Sequence, residues 1–373
     1  MFDLTKEQEE RAKRLHKESV VVSSCVGQWQ SEYVQHIPGM LERATEAVKD
    51  FKGPDFYPLL WHLVVEDLTS GKSDIEQEWM ELSGVDVFTW TVAPPIEPFE
   101  RVIDSIAIFQ RKFDALDYLV KATTFKDIER AKTEGKRAGI MHLQDSEPIG
   151  KDLDKLRLFY NLGIRVLQLT YNVRDLVGSG WTERADGGLS HFGVGVVKRM
   201  NELSILVDVS HCGYQTTMDA IEISSSPVAV THSFSRKIVD YARGTTDEEI
   251  QALAAKDGYF GVLCGPTLGG SLNNTLDHID HIVGIMGVDK VGIGADYEGP
   301  GIASDFFKAR TREWSRSAGM KEVRPRPAAV QGFKDMRDWP NITRGLVSRG
   351  YSDDEIKGIL GGNFLRIFKE VVG

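Results

Sequence analysis

The chain has 373 residues, 41% of them apolar and 27% charged, with a formal net charge of −10. Those proportions are those of a folded globular chain and exclude compositional disorder. The acidic balance argues against nucleic-acid and anionic-membrane partners, which call for basic patches. Three cysteines (Cys25, Cys212, Cys264) without CxxC spacing do not make a disulfide framework. The opening MFDLTKEQEERAKRLHKES lacks the apolar core of a signal peptide, and no apolar run reaches the ~18 residues of a membrane span. The expected setting is a soluble cytoplasmic protein.

In chain order, short apolar runs alternate with amphipathic helical segments. The runs are VVVSS (20–24), DVFTWTV (86–92), AGIMHLQD (138–145), IRVLQLTY (164–171), SILVDVSH (204–211), PVAVTHS (227–233), YFGVLC (259–264) and KVGIGADY (290–297). They are near-continuously apolar, as buried parallel strands are, and the helical spacers suit parallel βαβ crossovers. Gly84, Gly139, Gly163, Pro227 and Gly258 punctuate the joints. Asp247-Glu248-Glu249 and Ser352-Asp353-Asp354-Glu355 carry the acidic start signals of helices. The pattern predicts an α/β fold: a TIM-type (β/α)8 barrel forming a single domain over residues 1–373.

Two stretches exceed a minimal barrel. Residues 27–85 follow the first strand and are rich in aromatics (Trp29, Tyr33, Phe51, Phe56, Tyr57, Trp61), and residues 298–338 follow the last. Long loops at the carboxyl end of a barrel either line the active site or decorate the surface.

Three of the runs end in residues that bind metals or move protons: His211, His232 and Asp296. Strand carboxyl ends are where such a barrel carries its chemistry. Two neutral imidazoles on successive strands suit one divalent ion, and Asp296 can ligate it or take a proton from the attacking water. These residues point to a metal site.

LGIRVLQLTYN, GGLSHFGVGVVKRMNELSILVDVSH, PVAVTHS, ARGTTDEEIQAL, HIVGIMGVDKVGIGADYEG and DWPNITRGLVSRGYSDDEIKGILGGNFLRIF together resemble the membrane (renal) dipeptidase family. These are zinc peptidases of the amidohydrolase-like barrels, and the resemblance is close over about 138–370 and weak before that. It implies the barrel fold, zinc, homodimers and hydrolysis of small peptides. The family's two zinc ions share a bridging glutamate; one ion also takes a first-strand HxD, and the other takes the histidines matched by His211 and His232. Asp296 matches the aspartate that helps activate the bridging water. Arg243 matches the arginine that binds the substrate carboxylate, as bidentate guanidinium suits.

The chain departs from that pattern at the other half of the centre. The first strand reads SSCVG (23–27), placing Cys25 and Gly27 where the ligand histidine and aspartate stand. Gln144 falls on the bridging glutamate, and Tyr171, followed by Asn172, falls on a substrate-contacting histidine. Glutamine lacks the charge that offsets repulsion between two dications. His142 shares a strand face with Gln144 and is either a third ligand or a deeper core histidine. Cys25 is either a soft thiolate ligand or a small buried hydrophobe; Cys25, Gln144, Tyr171 and Asn172 are also candidate substrate contacts.

The expected activity is a hydrolase with one Zn2+ or other divalent ion per chain, acting on an amide or related bond of a small carboxylate-bearing substrate. The alternatives are a repurposed barrel enzyme with lyase or decarboxylase chemistry, and a relative that only binds a ligand. Of the remaining candidates, Cys212 and Cys264 read as structural. Trp181 and Glu183 read equally as pocket mouth or surface loop. His278 and His281 read as exposed helix residues far from the site.

Overall fold

A computed structural model describes residues 2–27, 33–49, 57–296, 305–317, 319 and 330–373. Its strands are β1 (Val22–Val26), β2 (Val87–Thr91), β3 (Leu119–Lys121), β4 (Arg137–Leu143), β5 (Ile164–Gln168), β6 (Leu206–Asp208), β7 (Ala229–Ser233), β8 (Tyr259–Val262) and β9 (Val291–Ile293). All the ladders are parallel, in the order β1-β2-β4-β5-β6-β7-β8-β9, with β3 beside β4. At the seam, the Asp296 amide donates to the Cys25 carbonyl (3.1 Å) and the Ser24 hydroxyl bonds the Ile293 carbonyl (3.0 Å). The eight-stranded path is therefore a nearly closed TIM-type barrel, with helices between its strands.

Each of the eight apolar runs overlaps a strand. The ninth, β3, is a three-residue piece that periodicity does not register. It pairs with the first half of the long β4 (Leu119↔Arg137), while β5 pairs with the second half (Met141↔Ile164). Several runs extend past their strands; at the site, β6 stops at Asp208 and β9 at Ile293, three residues short of His211 and of Asp296. The chain leaves the ladder because Asp208 Oδ1 caps the Ser210 amide (2.9 Å), after which His211 turns left-handed.

The barrel interior is tight. The Ser24 hydroxyl also reaches the Thr231 carbonyl (2.7 Å), and the Tyr259 hydroxyl donates to Ser24 (3.0 Å). A Cβ on Gly294 would stand 1.9 Å from the Thr231 carbonyl oxygen, so only glycine lets β7 and β9 approach this closely. Outside the strands, the acidic start signals become capping boxes. Thr246 and Glu249 start the helix Asp247–Ala255, and Ser352 and Glu355 start Asp353–Lys357.

The first excursion folds into the helices Met40–Val48, Tyr57–Thr69 and Ile75–Ser83. Its Trp61 is core, buried edge-on against Phe109 with centroids 5.8 Å apart. Tyr33 is likewise buried, against Trp79 at 5.2 Å. Trp29, Phe51 and Phe56 lie outside the described residues, as does most of 298–338 apart from the helix Asp305–Ser317. Within this shell Lys112 and Glu76, both fully buried, pair at 2.9 Å, and the ammonium lies 4.4 Å from the Trp90 ring centroid. Among the described residues no helix is long and apolar enough to cross a membrane.

His278 is fully buried, not exposed: its Nδ1 accepts the Ser235 amide (3.1 Å) and its ring meets Phe234 edge-on. It stands on the inner face of the helix Leu272–Met286, whereas His281, one turn on, pairs with Asp247 at 2.9 Å. Cys264 is buried core, as expected.

Candidate active site

The strand carboxyl ends bring Cys25 (β1), His142 (β4), His232 (β7), and the residues just past β5, β6 and β9 to one end of the barrel. Six described non-glycine residues have positive φ, and Asn172 (60°), His211 (62°) and Asp296 (48°) are three of them. Asn, Asp and His are the types that tolerate this region best, and the strain costs of order 1–3 kcal/mol each. That strain gathers where strands release their side chains into the site.

His211 and His232 face each other, Nε2 to Nε2, at 3.0 Å. Their protons follow from their other partners. Thr231 donates its hydroxyl proton to the Asp208 carboxylate (2.6 Å), so it can only accept from His232 Nδ1 (2.9 Å). His211 Nδ1 lies 2.7 Å from the Asn172 carbonyl oxygen, which only accepts and also takes the Trp181 indole N–H (2.5 Å). Both rings thus carry hydrogen on Nδ1 and leave Nε2 bare. Burial, with Arg243 beside them, holds both pKa values well below the ordinary histidine range, so the rings stay neutral. Two bare lone pairs at 3.0 Å repel unless a cation lies between them. Two ligands about 2.0–2.1 Å from a tetrahedral ion stand about 3.3 Å apart. The donor set therefore fits one divalent ion.

His232 also groups with Cys25 and Asp296, one ligand atom of each within 4.8 Å of the others, a group that does not take in His211. Asp296 Oδ2 is 4.0 Å from His232 Nε2, and its Oδ1 is 3.8 Å from Cys25 Sγ. The Gln144 amide nitrogen donates to that sulfur (3.2 Å). A Cβ on Gly27 would meet Asp296 Oδ1 at 2.8 Å, so the missing side chain makes the room into which the Asp296 carboxylate leans.

His142 is fully buried with its Nε2 3.3 Å from Asp208 Oδ2, and its Nδ1 has no hydrogen-bond partner among the described residues. It is not in the Cys25–His232–Asp296 group. Tyr171 stacks on the His211 ring at 4.3 Å and 22°. Burial and the Asp296 charge push its phenol pKa up. Arg243 donates to the His232 carbonyl (2.8 Å) and to the Ser233 hydroxyl (3.1 Å), leaving other N–H groups of the fork for a ligand. A cavity of about 250 Å³ borders His211 and Arg243 and is lined in part by Trp181, Glu183 and Arg236. Trp181 and Glu183 line that cavity, whereas Cys25, His232 and Asp296 do not. Cys212 also borders this cavity, and its sulfur accepts the Thr170 hydroxyl (3.3 Å).

Sequence reasoning missed Asp208. It is fully buried and accepts from the Ser210 amide and hydroxyl (2.9 and 2.7 Å) and the Thr231 amide and hydroxyl (3.0 and 2.6 Å). Burial alone would raise its pKa, but His142 and these donors outweigh it and hold the carboxylate far below its usual range. Its signal was in plain view, an acid inside the apolar run ILVDV.

The profile of the membrane dipeptidase family, peptidase family M19, matches residues 10–311 and 325–372. Mouse dipeptidase 3 is 26% identical over 368 residues, covering 90% of this chain and 67% of its own. Dipeptidase tcpJ of Claviceps purpurea is 27% identical over 321 residues, covering 84% of this chain and 66% of its own. The chain thus spans about two thirds of the length of these relatives. An amidohydrolase structure from Pseudomonas aeruginosa superposes with a TM-score of 0.77 at 25% identity, over 96% of this chain and 98% of that one.

Proposed function

The chain belongs to the membrane dipeptidase family and is a metal-dependent hydrolase; from that premise we propose that it works with a single divalent ion on an amide or related bond of a small carboxylate-bearing substrate. The observation that carries this reading is the pair of bare Nε2 atoms of His211 and His232 set 3.0 Å apart. His211 and His232 would hold the ion. When bound, it supplies a Lewis acid that polarises the scissile carbonyl and acidifies the attacking water.

The remaining roles fall to the chain's own groups. Asp296, with its side chain 27% exposed, takes the proton of the attacking water and returns it to the leaving nitrogen. Arg243 anchors the substrate carboxylate through its unused N–H groups, its position fixed by the His232 carbonyl. Tyr171 keeps the His211 ring in plane, and Asn172 and Thr231 keep both imidazoles in the ligating tautomer.

The test is metal analysis of purified protein. One zinc-like ion per chain is expected, and His211→Ala should remove it; two tightly held ions would overturn the single-ion reading. A panel of L-L and L-D dipeptides on metal-loaded protein then reads the reaction. One observation favours a second reading, repurposed non-peptidase chemistry: Gln144 spends its amide on Cys25 instead of bridging two ions. A metal-loaded sample that turns over no dipeptide would support it.

A further inference from the structure

We propose that Cys25 is the third protein ligand of the ion, its thiolate joining the histidine pair, with Asp296 beside it as the base. This rests on the single-ion reading above and goes further by naming the ligand that replaces the missing half of the site.

Four observations converge. Cys25 is fully buried at the carboxyl end of β1, and its sulfur shares a 4.8 Å envelope with a His232 ring nitrogen and an Asp296 oxygen. Bonds of about 2.3 Å to sulfur and 2.0–2.1 Å to nitrogen close that span with small side-chain rotations. Second, the Gln144 amide donates to the sulfur at 3.2 Å, and an N–H aimed at sulfur stabilises a thiolate better than a thiol. Third, Gly27 removes the side chain that would crowd Asp296, so the carboxylate stands 3.8 Å from the sulfur, beside it. Fourth, the competing ligand His142 is held 3.3 Å from the Asp208 carboxylate. Cys25, Gly27 and Gln144 thus form one arrangement: a thiolate, the room for Asp296, and a donor to the thiolate.

Coordination displaces the Cys25 thiol proton to solvent and forms a metal–sulfur bond, with no change of oxidation state. A nitrogen and sulfur set selects borderline and soft divalent ions (zinc, cobalt, cadmium) over magnesium or manganese. Three protein ligands leave a fourth position open, as a catalytic site requires.

The test is absorption spectroscopy of metal-free protein titrated with Co2+. The wild type should show visible d–d bands of a tetrahedral ion together with a near-ultraviolet thiolate-to-cobalt charge-transfer band. Cys25→Ser should keep the d–d bands, lose the charge-transfer band and bind cobalt at least about tenfold more weakly. Cys212→Ser and Cys264→Ser should keep both. Visible bands without charge transfer in the wild type, or a charge-transfer band that survives Cys25→Ser, would overturn the thiolate ligand and leave the single ion standing. No cobalt spectrum at all would overturn both. Should Cys25→Ser fail to fold, the wild-type spectrum beside those of Cys212→Ser and Cys264→Ser decides the point.

Discussion

Replacing Asp208 by alanine perturbs stability and metal binding through one group. The carboxylate takes four hydrogen bonds of 2.6–3.0 Å from Ser210 and Thr231, and His142 Nε2 stands 3.3 Å away. On its removal the two hydroxyls can turn to other acceptors, but the Ser210 and Thr231 amides cannot. A buried donor left unsatisfied costs about 1–3 kcal/mol, so two cost about 2–6. Breaking a buried charged network by one partner costs about 3–5 kcal/mol, in the same range. Asp208→Ala should therefore lose about 3–5 kcal/mol in urea unfolding of the metal-free protein. Released from Asp208, the Thr231 hydroxyl can donate to His232 Nδ1, which moves the ring proton to Nε2 and blocks the ligand atom. Cobalt affinity should fall about 10–100-fold. The pH dependence has a definite sign. The folded pKa lies below the unfolded one, so the Asp208 contribution is complete above the ordinary carboxylate pKa of about 4 and disappears as pH falls below it. The stability gap between wild type and variant should be flat from about pH 5 to 8. A loss under about 1 kcal/mol, or unchanged cobalt affinity, would refute the reasoning.

Buried His278, its pKa held down to about 4 by burial, binds a proton in the unfolded chain between about pH 6.5 and 4 but not in the folded one. Wild-type stability should fall through that window, and His278→Asn should remove about 3 kcal/mol of the fall, read from unfolding at stepped pH. Lys112→Ala, which strands the fully buried Glu76, should cost about 3–5 kcal/mol. The double variant Lys112→Met, Glu76→Leu should recover most of that loss in the same denaturant assay. Arg243→Lys replaces a bidentate fork by a point charge and should lower kcat/KM for a carboxylate substrate about 10–100-fold. A substrate amidated at that position should barely respond, and equal losses on both would remove Arg243 from carboxylate recognition.

The barrel was legible because its strands are buried on both faces, so each of the eight runs is written as a continuous apolar stretch that no amphipathic helix imitates. The short β3 was not, because the sequence around Leu119-Val120-Lys121 carries no period. Its place comes from the free edge that β4 offers where β5 has not begun. His278 was misplaced for a related reason. Spacing shows that His278 and His281 lie on neighbouring turns, but only packing decides which of them faces the barrel.

At the site, residue type alone singled out His211, His232 and Asp296, since a ligating side chain ending an apolar strand has few other uses. Sequence could not show that Asp208, lodged inside one of those runs, sets the tautomer of His232 through Thr231. Hydrogen-bond direction depends on which groups the fold brings face to face. Nor could it choose between His142 and Cys25. Both stand at strand carboxyl ends, and only distances across the barrel separate them: His142 lies 3.3 Å from Asp208, while Cys25 lies with His232 and Asp296. The barrel and the histidine pair could be read from the chain alone, because burial and strand period are local. How Cys25, Gly27, Gln144 and Asp296 touch one another could come only from the fold, because they meet when β1, β4 and β9 close the ring.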